Sequence, residues 1–233
     1  MTKILHIETA TQVCSVAISD KGKCIAIRES LVANSHAEML TTFIAELTKE
    51  AGWKYNDLDA IAVSKGPGSY TGLRIGVSSA KGLCFSLEKP LISMSTLKAM
   101  AFGMAKLVGT TDEKVLFCPM IDARRMEVYS AIFDKNNNEV RKIIAEIIDV
   151  DSLSEYLKDH IVYFAGDGAE KCKESFENQK NARFLDDFQI SSKDMIGITT
   201  RKFEENQFED VAYFEPYYLK DFIAGAPRVR GLK

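Results

Sequence analysis

This chain is poor in the residues that build metal centres and covalent cross-links. Its 233 residues hold five cysteines, Cys14, Cys24, Cys84, Cys118 and Cys172, and no two of them form a CxxC pair. An odd, scattered set argues against a disulfide framework and a cysteine-type zinc site, and fits a reducing cytosol. Histidine is scarcer still, with only His6, His36 and His160. A helical two-histidine site needs residues i and i+4 on one face, and the position four after His36 is Leu40, so no metal is expected to be held by this chain. No apolar run approaches the length of a membrane span. The opening Lys3-Ile-Leu-His-Ile-Glu8 lacks the apolar centre of a signal peptide. The expectation is a cytoplasmic protein with no membrane partner.

A marked charge of either sign is also missing. The chain carries 30 basic and 33 acidic residues, a net charge of −3. Up to Val108 there are 12 basic and 9 acidic residues (+3), leaving 18 and 24 (−6) for the remainder. Stand-alone RNA-binding domains are usually clearly basic, so any RNA is expected to be reached through a partner. With 46% hydrophobic and 27% charged residues, the chain can build one large domain or two small lobes with real cores.

What is present is concentrated between residues 64 and 76, SKGPGSYTGLRIG. The preceding Leu58–Val63 reads as a strand and the following Leu73–Leu87 as a helix. The glycines and Pro67 therefore occupy a strand-to-helix turn, where free N–H groups could meet an anion. A P-loop would end in Gly-Lys-Ser/Thr, and a dinucleotide fingerprint would read GxGxxG. Here Leu73 and Arg74 follow Gly72, and Gly66, Gly68 and Gly72 give GxGxxxG. The spacing favours a rigid structural corner over a nucleotide loop. Ser69 and Thr71 are the hydroxyls at this turn, but no GxSxG elbow surrounds them, and Thr71 reads as an N-cap.

The first half begins with strands over Lys3–Glu8, Val13–Ser19 and Lys23–Val32. A helix opens on the capping box Ser35-x-x-Glu38, with Leu40, Phe43, Ile44 and Leu47 on one face. After the glycine corner come a short strand at Pro90–Ile92 and a helix from a Ser95 cap to about Val108. Three strands, helix, strand, helix, strand is the order of the ribonuclease-H-like fold, which also opens sugar kinases, actin and the heat-shock ATPases. A polar break at Gly109–Lys114 marks the lobe boundary. The second half repeats the outline in reduced form: strands at Val115–Ile121, Glu127–Phe133 and Val140–Val150, a short helix boxed by Ser152 and Glu155, and a strand Ile161–Ala165 leading to Gly166-Asp167-Gly168. The expected fold is α/β, with lobes at 1–108 and 109–221, the second reduced, and a basic tail at 222–233 carrying Arg228, Arg230 and Lys233. That tail reads first as solvated chain and second as a phosphate contact. Glu8, Asp122 and Asp167 are the carboxylates near lobe junctions. Arg124 reads as an ion-pair partner of Asp122 or Glu127, with an anion or RNA contact as its alternative.

The run from Gly66 to Gly76 matches each fixed position of Gly-Pro-Gly-Ser-x-Thr-Gly-Leu-Arg-x-Gly, and here the chain resembles the bacterial TsaB family of tRNA threonylcarbamoyladenosine biosynthesis. Ile7–Thr11, Ser35–Glu38, Ala80–Leu83, Asp122–Tyr129 and Pro216-x-Tyr218-Leu219-Lys220 extend the likeness. It is dense up to Tyr129 and sparse beyond. The resemblance implies the same two-lobed fold. It implies a subunit without its own active site that pairs with a catalytic TsaD-type subunit, joined by a TsaE-type ATPase. Together these move a threonylcarbamoyl group from its adenylate to N6 of the adenosine 3′ of the tRNA anticodon. ATP and metal would then reside on the partner subunits, tRNA would be reached through the complex, and a homodimer is a further possible state. TsaD-type relatives carry a His-x-x-x-His pair in the His36 region, of which this chain keeps at most one member. A metal-dependent glycoprotease-like peptidase or an ATP-dependent phosphotransferase is the competing class. Gly72, Gly76 and Ala80 recur every four residues on one stripe. With His36, Leu40, Phe43 and Leu47 of the preceding helix they are expected at a helix–helix subunit contact, since TsaB-like proteins pair through these two helices.

Overall fold

The structure is a computed structural model that describes residues 2–32 and 36–220. Ser35 and the tail after Lys220 lie outside the described residues. Alternating apolar residues fold the opening into β1 (Lys3–Glu8), β2 (Cys14–Asp20) and β3 (Lys23–Ser30), paired antiparallel in sequence. Helix α1 (His36–Glu50) crosses to β4 (Ala60–Gly66), and α2 (Tyr70–Leu87) crosses to β5 (Leu91–Ser95). Both strands join the sheet in parallel, giving the order β3-β2-β1-β4-β5.

Helix α3 (Thr96–Val108) follows directly. Ser95 caps it by accepting from Lys98 N, and Gly109 ends it in the left-handed region at φ 64°, a conformation glycine adopts without strain. The second sheet is built from β6 (Val115–Asp122), β7 (Glu127–Asp134), β8 (Glu139–Ile147), β9 (Ile161–Ala165) and β10 (Ala182–Phe184). Its order, β10-β9-β6-β7-β8, with β6 antiparallel to β7 and parallel to β9, repeats the first sheet. These two ribonuclease-H-like sheets are the expected fold class. The short α4 (Ser154–Leu157) does not use the expected box: Leu153 stands at its N-cap with φ 59° and no side-chain cap, and the Ser152 hydroxyl bonds Asp149 instead.

Four apolar clusters make the core. Leu5, Ile7, Val16, Leu40, Leu47 and Val63 lie under α1 and α2, and Ile4, Ala62, Ile92, Met94 and Met195 lie on the opposite face of the first sheet. Helix α3 sits between the sheets, its Leu97, Met100 and Met104 packing with Phe117, Ile121 and Phe133. The last cluster fills the outer face of the second sheet.

The chain then returns to the first sheet, which sequence reading did not anticipate. Helix α5 (Ile196–Glu204) brings Thr199 to His6. Glu209 bridges Leu91, and the Lys81 ammonium donates to the carbonyls of Ala212 and Phe214. Residues 192–218 therefore pack with the first lobe rather than with the expected 109–221 unit.

Candidate functional site

The glycine corner is filled by the chain itself. Helix α2 starts at Tyr70, three residues earlier than periodicity suggests, because Ser69 rather than Thr71 is its N-cap and accepts from Gly72 N at 3.2 Å. Ser69 N donates to Ala10 O at 2.6 Å, and the Thr9 hydroxyl donates to Gly72 O at 2.8 Å. A Cβ on Gly68 would lie 2.3 Å from Ala10 O, one on Gly72 2.1 Å from Thr9 O, and one on Gly76 2.2 Å from Thr9 Oγ1. The turn after β1 thus packs against the groups that would otherwise meet an anion at the start of α2. The second glycine turn is closed in the same manner. A Cβ on Gly166 would lie 2.2 Å from Met120 O, and Gly168 N donates to that carbonyl at 3.1 Å.

The carboxylates at the lobe junctions differ in environment. Glu8 is fully buried. Its Oε1 accepts from Ala10 N at 2.6 Å, while Oε2 has no hydrogen-bond partner. Burial pushes its pKa up to about 7, and the charge of Asp194 adds to the shift. Asp194 is also buried, against Gly103 of α3, and burial pushes it up to about 6. Asp122 is exposed and paired with the Lys171 ammonium, and Asp167 accepts from Asp122 N at 3.0 Å. Arg124 does not form the expected ion pair. Only its backbone N reaches Asp122, and Glu127 pairs with Lys220.

His6 and His36 are structural in their contacts, on β1 and α1 respectively. His6 lies between the hydroxyls of Ser19 (2.8 Å) and Thr199 (3.2 Å), and burial lowers its pKa to about 3. His36 Nε2 is 3.0 Å from Thr11 O. His160, half-buried, precedes β9. Among the described residues no cluster of three or more His, Cys, Asp or Glu could hold a metal ion.

The small-residue stripe faces inward. Gly72, Gly76 and Ala80 lie against β1 and its turn, and His36, Leu40, Phe43 and Leu47 are buried as well. These seven residues pack within the chain, so they do not themselves present a surface to another subunit. The periodicity was real, but small residues permit close approach to a sheet as readily as to a partner. The outward face of α2 carries Thr71, Arg74, Ser78, Gly82 and Phe85, and that of α1 carries Ala37, Thr41, Ala45 and Glu46. Phe85 is 83% exposed. Nothing lies within 4 Å of where a Cβ on Gly82 would stand, so packing within the chain does not require this helix-interior glycine.

Two duplicated sheets define the class: a two-lobed fold of the actin-like ATPase type whose glycine corner is occupied by the chain's own backbone. Solved structures agree on the fold. YeaZ from Pseudomonas aeruginosa superposes with a TM-score of 0.80 at 23% identity, covering 94% of this chain and 100% of that one. The activator of the 2-hydroxyisocaproyl-CoA dehydratase from Clostridium difficile gives 0.51 at 8% identity, covering 88% and 96%. A family model described as TsaD, tRNA N6-adenosine threonylcarbamoyltransferase, matches residues 27–226. The tRNA threonylcarbamoyladenosine biosynthesis protein TsaB of Escherichia coli K12 is 30% identical over 231 residues, 95% of this chain and 96% of that protein. The TsaB protein of Haemophilus influenzae is 38% identical over 54% of this chain and 51% of its own length. The chain belongs to the TsaB family, within the wider TsaD-type superfamily.

Proposed function

We propose that this protein is a subunit of the machinery that installs N6-threonylcarbamoyladenosine in tRNA, and that it supports a TsaD-type catalytic subunit rather than carrying an active site. The observation that supports this most is the Thr9–Ala10 turn seated in the glycine corner, with Ser69 N committed to Ala10 O. An anion at the start of α2 would have to displace the chain's own backbone. In this reading ATP and metal belong to the partner subunits, a TsaE-type ATPase joins the assembly, and the work is cytoplasmic. No described helix is long and apolar enough to cross a membrane.

Pairing would use the outward face of α1 and the end of α2 around Gly82 and Phe85, and the same face would serve a homodimer when the chain is alone. Phe85 is the natural anchor, because a large apolar side chain left in water gains most from a partner's cover. Phe85→Asp should reduce co-purification with the TsaD-type subunit at least tenfold. Urea unfolding of the isolated chain should barely change. Unchanged pairing would move the interface elsewhere. Tight ATP–magnesium binding by the isolated chain, measured by titration calorimetry, would refute the subunit reading itself.

A further inference from the structure

The turn after β6 is the counterpart, in the duplicated sheet, of the turn after β1, yet it points outward. Arg124 and Arg125 are both exposed and both left-handed, at φ 72° and 53°. Consecutive non-glycine residues in that region are uncommon and are held only by surroundings that over-determine them. Here the surroundings are visible. Lys171 Nζ pairs with Asp122 and donates to the carbonyls of Arg125 and Glu127 at 2.8 Å, and Ala123 N donates to Glu127 O at 3.0 Å. The loop is fastened through its backbone, and neither arginine side chain takes part.

A chain of contacts leads from this loop to the first lobe. Glu127 pairs with Lys220. Two residues before Lys220, the Tyr218 ring meets Tyr70 at 4.9 Å, and the Arg74 guanidinium lies 4.3 Å from the Tyr70 ring centre. Beside it runs a groove of about 300 Å³ lined by Arg74, Ser78, Lys81, Phe214 and Tyr218, with the Glu215 carboxylate also on its wall. Lys171 and Lys220 offset Asp122 and Glu127. Arg74, Arg124 and Arg125 pair with no carboxylate among the described residues, whereas Arg28 and Arg141 are tied to glutamates. On a chain with a net charge of −3, these arginines form a local exception: Arg74 is joined to Tyr218 through the Tyr70 ring, and the Arg124–Arg125 loop reaches Tyr218 through Glu127 and Lys220.

We infer that this Arg124–Arg125–Lys220–Tyr218–Tyr70–Arg74 band is a contact surface for single-stranded RNA, with phosphates on the arginines and a base against Tyr218, which is 37% exposed. Guanidinium groups match phosphate oxygens, and aromatic faces accept any base. The choice of RNA over an acidic protein surface rests on the tRNA-modification reading above; the cationic band does not.

The test is fluorescence anisotropy with a short single-stranded RNA as the probe. It is run on the full chain and on its co-purified complex with the TsaD-type subunit, across a salt series. The double substitution Arg124→Ala, Arg125→Ala should weaken binding and lower the slope of log K against log salt by about 1.4, roughly 0.7 for each phosphate no longer neutralised. Tyr218→Ala should weaken binding about tenfold, consistent with the loss of one base stack, and leave that slope unchanged. Both variants are checked by circular dichroism, and Tyr218→Phe should restore binding if the ring acts by stacking. RNA affinity unchanged in the arginine variant overturns the proposal. Loss of TsaD-type pairing with RNA affinity intact overturns it in favour of a protein interface. Polyphosphate displacing RNA equally well from wild type and Tyr218→Ala would reduce the band to an anion site and overturn the RNA assignment. If the chain fails to pair with the TsaD-type subunit while the arginine and tyrosine effects persist, the subunit reading falls and the RNA surface stands.

Discussion

The two lobes share one sheet topology and differ in what crosses between the strands. In the first, the β3–β4 connection carries the 15-residue α1 and the β4–β5 connection the 18-residue α2. In the second, the corresponding connections hold the four-residue α4 and two 3-10 turns, Glu170–Cys172 and Glu174–Phe176. Stacked aromatics close the second lobe's outer core instead, with Phe164 4.7 Å from Phe176 and 5.2 Å from Phe184. A five-stranded sheet thus folds without long helices. The first lobe's helices cover one apolar face of its sheet, and their outer face is where a further role can reside. The turns that follow the central strands differ in the opposite sense. Thr9 and Ala10 are buried in the glycine corner, while Arg124 and Arg125 stand in solvent.

The most damaging way to break this comparison is to separate the first turn from its corner. Gly76→Leu would drive a side chain into Thr9 and Ile7. Overpacking of this kind costs about 1–3 kcal/mol and occasionally more, and here it also opposes the Thr9–Gly72 hydrogen bond. We expect a loss of about 3 kcal/mol or more in urea unfolding of the isolated chain. The outward face of the same helix provides the contrast. Gly82→Ala meets nothing within 4 Å and should stabilise by about 0.5–1 kcal/mol. A Gly76→Leu protein with an unchanged midpoint would refute the packing described for the corner.

The carboxylates that end the two central strands sharpen the comparison through pH. Glu8 has its folded pKa raised from 4.5 to about 7. The folded state therefore holds a proton that the unfolded chain has released, and stability falls as pH rises from about 4.5 through about 7. Below 4.5 the penalty is absent. Above 7 it is complete, of order 3 kcal/mol. Glu8→Gln should flatten the stability profile across that window. Asp194, which faces Lys193, Lys106 and Glu29 as well as Glu8, contributes a slope of the same sign. His6, its folded pKa lowered to about 3, contributes the opposite slope up to its ordinary 6.5, so the readout is the difference between wild type and Glu8→Gln. Asp122→Asn, by contrast, removes an exposed ion pair and should change stability by less than about 1 kcal/mol. A stability difference between Glu8→Gln and wild type that does not grow between pH 5 and 7 would contradict the buried, neutral Glu8.

Much of this was legible in the sequence because it depends on local rules. Alternation located most of the strands, Ser95 and Gly109 bounded α3, and the glycine spacing separated a structural corner from a nucleotide loop. What was not legible depends on contacts distant in sequence. The return of 192–218 to the first sheet rests on single pairings such as Thr199–His6 and Glu209–Leu91, which carry no motif. The three-residue β10 is too short for a periodic signal. The stripe of Gly72, Gly76 and Ala80 was found by its spacing, but spacing does not say which neighbour approaches. Asp194, which adds to the shift at Glu8, lies in a short 3-10 turn with nothing to distinguish it from a surface acid.

The smallest expected effect concerns how the corner helix begins. Ser69 and Thr71 are both hydroxyls at the same turn, and only position decides which one caps. The Ser69 Oγ accepts from Gly72 N at 3.2 Å, satisfying one of the four N–H groups that a helix start leaves without partners. Thr71 is exposed within the first turn, and its hydroxyl makes no hydrogen bond among the described residues. Ser69→Ala should therefore cost about 1 kcal/mol, a fall in Tm of roughly 2–4 °C for a chain of this size. Thr71→Ala should be close to neutral. The second lobe offers no equivalent site, since the 3-10 turn that follows its glycine turn starts at Ala169 without a side-chain cap. In a reconstituted threonylcarbamoylation assay with the partner subunits, both variants should retain near wild-type rates, because neither hydroxyl is expected to meet a substrate. A thermal shift larger for Thr71→Ala than for Ser69→Ala would displace the helix start, and a hundredfold rate loss in Ser69→Ala with pairing intact would reveal chemistry at the corner.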